Sequence, residues 1–328
     1  MRTPRRLIAV VLSIFLLSAA GTAATATPAR TGHDHADPTL LTTGLSGGAG
    51  STIGPDGALY VTEPQAGEVS RVDRHTGDVT TFASGLPEQV EGTPGGAVDV
   101  AFLGRTAYVL VTLVDSEVSG LYRIGRDGSA TPVADIGAWS IANPPETDFF
   151  VPSGLQYALE PYRGGFLVTD GHHNRVLYVT PWGAIIEAIA LGNVVPTGLE
   201  TLGRTVLVAQ AGPVPHLPRD GRIVAFRPGS SAVSPIAAGG RLLVDVEKGH
   251  RGLYALAQGV FTPGNPEGSP ADPDTGQVMK VGRHGILRPV ATGLDRPTSF
   301  EIVRSTAYVV TLDGEVWTVR LGHHHGGR

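Results

Sequence analysis

The sequence predicts an all-β fold, a six-bladed β-propeller of four-stranded blades closed by an N-terminal strand that completes the last blade. Three observations lead there. A short apolar strand recurs six times along the chain. Each copy is followed by a strand with period-two alternation, and most copies then run into a glycine-bearing turn and an outer strand. The sixth copy lacks that outer strand, and a segment of matching pattern lies near the N-terminus instead. Composition agrees: 45 Gly and 25 Pro among 328 residues, with only 17% charged, suit many short strands joined by tight turns.

Residues 1–26 read as a cleavable export signal. Arg2, Arg5 and Arg6 precede an apolar run from Leu7 to Ala20, and Ala24-Thr25-Ala26 offers a small-residue cleavage site. An uncleaved anchor is the alternative, but the run is shorter than the ~20 apolar residues that span a bilayer. Arg5-Arg6 also leaves twin-arginine export open beside the Sec route. The expectation is a secreted, extracellular protein with no membrane attachment after cleavage. Residues 27–37 form a linker containing His33 and His35.

The closing strand is expected at 38–45, and the blades at about 48–87, 94–137, 151–191, 196–238, 240–294 and 295–321, followed by a His-rich tail at 322–328. The recurring strand runs Ala58-Leu-Tyr-Val-Thr62, Ala107-Tyr-Val-Leu-Val111, Gly165-Phe-Leu-Val-Thr169, Thr205-Val-Leu-Val-Ala209, Gly252-Leu-Tyr-Ala-Leu256 and Ala307-Tyr-Val-Val-Thr311. Turns such as Arg74-His-Thr-Gly77, Arg126-Asp-Gly128 and Arg283-His-Gly285 lead into the outer strands. A period of about 40–60 residues with four strands each is the signature of propeller blades. Leu40-Leu-Thr-Thr-Gly-Leu45 matches Pro289-Val-Ala-Thr-Gly-Leu294, the end of a complete blade. Donating that strand to the last blade removes an unpaired sheet edge, which would otherwise template aggregation. Two β-sandwich domains fit less well, because no linker or composition break divides residues 40–321.

Bulk chemistry narrows the function classes. Removing residues 1–26 takes away three Arg and no acid, so the formal charge moves from −5 to −8. A mildly acidic chain is a poor partner for nucleic acid. There are no cysteines, which excludes thiol nucleophiles and thiolate metal sites. A monomer is expected, with a small molecule or an extracellular protein as partner.

Several motifs resemble a known family. Gly54-Pro-Asp-Gly-Ala-Leu-Tyr-Val61, Val195-Pro-Thr-Gly-Leu199, Thr169-Asp-Gly-His-His-Asn-Arg-Val176 and Thr292-Gly-Leu-Asp-Arg-Pro-Thr298 are similar to the ScyD/ScyE family of secreted bacterial propellers. The Pro-rich stretch Ala211-Gly-Pro-Val-Pro-His-Leu-Pro-Arg-Asp-Gly221 resembles an insertion of that family. The likeness covers about 40–321 and implies fold and export, and it carries no activity. Gly-Pro-Asp-Gly motifs are shared with NHL and gluconolactonase-like six-bladed relatives.

Candidate site residues fall on one face, the upper one, where loops leave the recurring strands and where each outer strand hands over to the next blade. Three of these loops are long: Gly137 to Pro152, Ala211 to Arg222 and Gln258 to Gly276. Trp139 in the first could cover an apolar ligand or pin the loop to the body. Aligned innermost strands place Ser51, Asp99, Gly198, Asp245 and Ser299 in equivalent positions, with Asp99 and Asp245 in opposite blades. Those two carboxylates could hold a hydrated Ca²⁺ in the channel, or each could accept N–H groups from a neighbouring blade. The recurring strands end in Glu63, Asp170, Gln210 and Asp313, and Asp170 precedes His172 and His173. That cluster could serve acid–base or metal chemistry, or be a structured turn. Pairing of the chain ends would bring His33, His35, His323, His324 and His325 to one edge of blade six, a set able to bind Zn²⁺, Cu²⁺ or Ni²⁺ loosely. No Gly-x-Ser-x-Gly elbow or phosphate loop occurs. The leading expectation is a ligand-binding propeller; a Ca²⁺-dependent lactonase or lyase acting on a small sugar or lactone, and metal handling by the terminal histidines, are the alternatives.

Overall fold

The structure is a computed structural model that describes residues 36–115, 117–266 and 268–322. Six antiparallel sheets of four strands each build it. The first contains Ser51–Ile53, Leu59–Glu63, Glu68–Val72 and Val79–Ala83, running from the axis outward. The next four blades repeat this order, with innermost strands Gly96–Leu103, Gln156–Tyr162, Pro196–Leu202 and Leu243–Gly249. The sixth holds Pro297–Val303, Thr306–Thr311 and Val316–Arg320, and its outer strand is Thr39–Thr42 from the N-terminal side. Thr39 sits opposite Thr318 and Leu40 opposite Trp317 in antiparallel register. Head and tail of the described chain thus share one sheet.

The second strand of each blade reads as an unbroken apolar run because sheets cover both its faces. Leu59–Glu63 is buried at every residue, as is Gly165–Asp170. Outer strands such as Val79–Ala83 and Ile185–Ala190 are mostly exposed. Apolar side chains between adjacent blades form six seams around the ring. One joins Tyr60 and Val69 of blade one to Val100 and Val109 of blade two. Another joins Leu59, Val61 and Val72 of blade one to Tyr308 and Val310 of blade six, sealing the ring.

Blades two to six share a further detail. Each innermost strand carries a register shift near its start, between Ala97 and Asp99, Gln156 and Leu159, Pro196 and Leu199, Leu243 and Asp245, or Pro297 and Ser299. Such bulges re-aim the side chains that follow them. Here those side chains belong to the channel wall.

Where reading and structure differ, the segment from Gly137 is the clearest case. The sequence predicts an irregular loop there, yet Ile136–Ala142 is a short α-helix. Asp135 accepts the Ala138 N–H at 2.8 Å and so satisfies one of the unpaired donors of its first turn.

Candidate functional site

Three places on this scaffold collect polar chemistry: the axial channel, the Asp170 cluster and a cavity on the upper face. The channel has a volume of about 60 Å³. Its upper tier holds Asp99 and Asp245. Asp99 Oδ1 accepts the Val100 N–H at 2.8 Å and its Oδ2 accepts Leu159 N–H of blade three at 2.7 Å. Asp245 repeats the pattern with Val246 at 2.8 Å and Phe300 of blade six at 3.1 Å. Behind each carboxylate lies a glycine of the preceding blade, Gly50 or Gly198, where any Cβ would collide with the Asp. Each Asp therefore bonds its own blade to the next and packs closely against the one before. Main-chain donors occupy every carboxylate oxygen of the pair.

A second tier lies two residues further along the innermost strands, on the same pleat face. Glu160, Glu200, Glu247 and Glu301 each stand two residues before their strand ends, in blades three to six, while blade two has Ala101 there. Glu160 Oε1 accepts the Thr201 N–H at 3.1 Å and its hydroxyl at 2.7 Å. By exposed area these side chains are half-buried, yet they sit deep in the molecule, on the strands nearest the axis. Burial accordingly dominates their ionisation. It pushes Glu160 and Glu200 up to about 7 and Asp245 up to about 8. Asp99, Glu247 and Glu301 are held well above the usual carboxylate range by burial and by one another's charge. Among the described residues that line this cavity there is no Lys, Arg or His, although Lys248 lies near enough to Glu200 to pull against its rise. Among the described residues, no three Asp, Glu or His lie close enough together to hold a metal ion directly. Sequence comparison of one aligned column finds the Asp pair and misses the Glu tier beside it.

The Asp170 cluster is a closed network. Arg175 is fully buried and donates from Nε to Asp170 Oδ2 at 2.9 Å, while Gln156 Nε2 donates to Asp170 Oδ1 at 3.0 Å. His173 Nε2 lies 3.0 Å from the Val151 carbonyl, and its Nδ1 lies 3.0 Å from Arg175 Nη2. A carbonyl only accepts, so the Nε2–H of His173 donates to Val151, while its Nδ1 faces both the Arg175 guanidinium and, at 3.1 Å, the Asp170 carboxylate. Arg175 also donates to Asn143 O and Ser140 Oγ, and Trp139 lies 4.9 Å beneath its guanidinium carbon. Phe149 and Phe150 pack edge-on against His173 and His172. These contacts fasten the 136–152 segment to blade three. Glu63, at the equivalent strand end in blade one, is buried and accepts the Ser46 N–H at 2.6 Å, tying down the chain beyond the closing strand. His33, His35, His323, His324 and His325 lie outside the described residues.

The upper-face cavity is larger than the channel, about 460 Å³. It lies between the 84–95 connection, residues 113–115 and 117–119 of blade two and the helix Ile136–Ala142. Leu113, Val114 and Ile141 supply an apolar wall; Asp115, Glu117 and Asp135 supply carboxylates. Ile141, one of the lining residues, is 61% exposed.

Fold and sites together define a six-bladed β-propeller. Comparison with solved structures places the chain beside proteins of that architecture. A gluconolactonase from Xanthomonas campestris superposes with a TM-score of 0.60 at 12% identity, covering 86% of this chain and 88% of that one. A glucose dehydrogenase-like putative oxidoreductase from Thermus gives 0.57 at 14%, covering 86% and 98%. Virginiamycin B lyase from Staphylococcus aureus gives 0.52 at 13%, covering 87% and 98%. At such identities the likeness is one of fold. No protein-family profile matches the sequence, and no curated protein does.

Proposed function

We propose that the protein is an exported binding propeller of the ScyD/ScyE type, which holds a small ligand in its upper-face cavity without transforming it. The observation that carries this reading is the cavity itself. At about 460 Å³ it falls within the ~300–1,000 Å³ typical of small-molecule sites, and it joins an apolar wall to a few convergent polar groups. The other two candidates support a structural role instead. The Asp99 and Asp245 oxygens are engaged by main-chain donors, and the Asp170 network satisfies its own members. Ligand-observed NMR with a mixed set of neutral, anionic and cationic small molecules tests the proposal. Hits are expected with the wild-type protein and should vanish with Ala138→Trp, which fills the cavity from an exposed helical position. An absence of hits, or hits indifferent to that substitution, would overturn it. Hydrolysis of an added aldonolactone that Ala138→Trp abolishes would replace binding by catalysis at the same place.

A further inference from the structure

The geometry points to an organic ammonium ion with a hydrocarbon body as the ligand of the upper-face cavity, an inference that rests on the binding role proposed above. Its polar side is made by Asp115, Glu117 and Asp135, and among the described residues no Lys, Arg or His lines it. Asp135 spends Oδ1 on the helix N–H of Ala138. Asp115 and Glu117 line the cavity from blade two and are exposed. Carboxylates with no neutralising cation repel phosphates, sugar acids and fatty acids, which pay desolvation without gaining a partner. A primary or substituted amine reverses both effects, donating charge-assisted hydrogen bonds to the rim.

The opposite wall sets the remainder of the ligand. Leu113, Val114 and the exposed Ile141 present aliphatic surface with no aromatic side chain among the lining residues. That surface favours a flexible or alicyclic hydrocarbon over a flat ring held by stacking, since burial of each methylene is favourable irrespective of its direction. The channel acids are a separate place. They lie on the innermost strands, within a void of about 60 Å³ that has no room for such a body.

The decisive comparison is octylammonium against octanoate, matched in chain length and opposite in charge, measured by isothermal titration with the full mature chain. Octylammonium is expected to bind and octanoate to show no heat beyond dilution. The double substitution Asp115→Asn, Glu117→Gln should weaken octylammonium about tenfold or more, as expected for losing charge-assisted contacts near water. Ala138→Trp should remove binding altogether, and unchanged melting temperatures of both variants would show that they fold. Equal binding of the two octyl compounds would overturn the ammonium assignment while leaving the cavity as a binding site. Failure of both compounds, together with an empty NMR screen, would overturn the binding role as well. Octylammonium binding that survives Ala138→Trp would place the ion elsewhere and refute the inference.

Discussion

Raising the pH from about 5 to about 8 should destabilise this protein, because the channel carboxylates hold protons in the folded state that they release on unfolding. Burial pushes Glu160 and Glu200 up to about 7 and Asp245 up to about 8. For an acid whose folded value is raised, the stabilising contribution is complete below its unfolded value and is lost as pH rises through the folded one. The window therefore opens near pH 4 and closes near pH 8. Each pKa unit corresponds to ~1.4 kcal/mol, so Glu160, moving from an ordinary 4.5 to about 7, accounts for on the order of 3 kcal/mol. The groups share one channel and influence one another, so their losses overlap and do not add. Even one such loss is large beside a net stability of about 5–15 kcal/mol. Urea denaturation at about pH 5, 6, 7 and 8 reads the effect as a falling midpoint at constant slope. Substituting Glu160→Gln and Glu247→Gln should flatten the profile, since a carboxamide does not titrate and its oxygen at position 160 would still accept from Thr201. A midpoint that stays level or rises between pH 5 and 8 would refute the account of the channel. Below about pH 4 the sign reverses. Burial pulls Asp56 upward, but its main-chain bond to Ala58 and its pairing with Arg71 prevail and hold it below the usual carboxylate value, so acid removes that pairing.

Other outcomes follow from single contacts. Arg175→Met should cost about 3–5 kcal/mol in chemical denaturation, because Asp170 is left as an uncompensated buried charge; adding Asp170→Asn should recover part of that loss, and strict additivity of the two would contradict the pairing. Gly198→Ala should cost about 1–3 kcal/mol, since the new Cβ collides with Asp245, whereas the same change at Gly192, which meets open space, should be near neutral. Deleting residues 38–45 should remove the outer strand of blade six and promote aggregation through the bared edge, visible by light scattering; a deletion variant as soluble and cooperative as the parent would contradict ring closure by strand exchange.

Much of this architecture is legible in the chain because a propeller repeats its own code. The apolar run Ala58-Leu-Tyr-Val-Thr62 needs two covered faces wherever it occurs, so its six copies count blades, and the missing outer strand after Val319 has its counterpart at Leu40. The channel is half legible. Asp99 and Asp245 surface as an aligned column, but Glu160, Glu200, Glu247 and Glu301 stand two positions on, and period-two geometry puts them on the same wall. Counting back from each hairpin would find them. The helix Ile136–Ala142 escapes notice because it is two turns long and contains Gly137, too little for periodicity to register. Trp139 and His173 can be singled out by type, yet their union with Arg175 depends on how a long loop folds back over blade three. The upper-face cavity gathers residues from three separate connections, and only the fold unites them.

The most direct test of the binding role is a titration of octylammonium followed on isoleucine δ1-methyl NMR signals. Ile141, standing exposed at the rim of the cavity, should shift most and saturably, while Ile53 and Ile302 near the axial strands stay in place. Shifts centred on Ile53 and Ile302, which pack in seams between blades, with Ile141 unmoved would put the ligand away from the cavity and contradict the account.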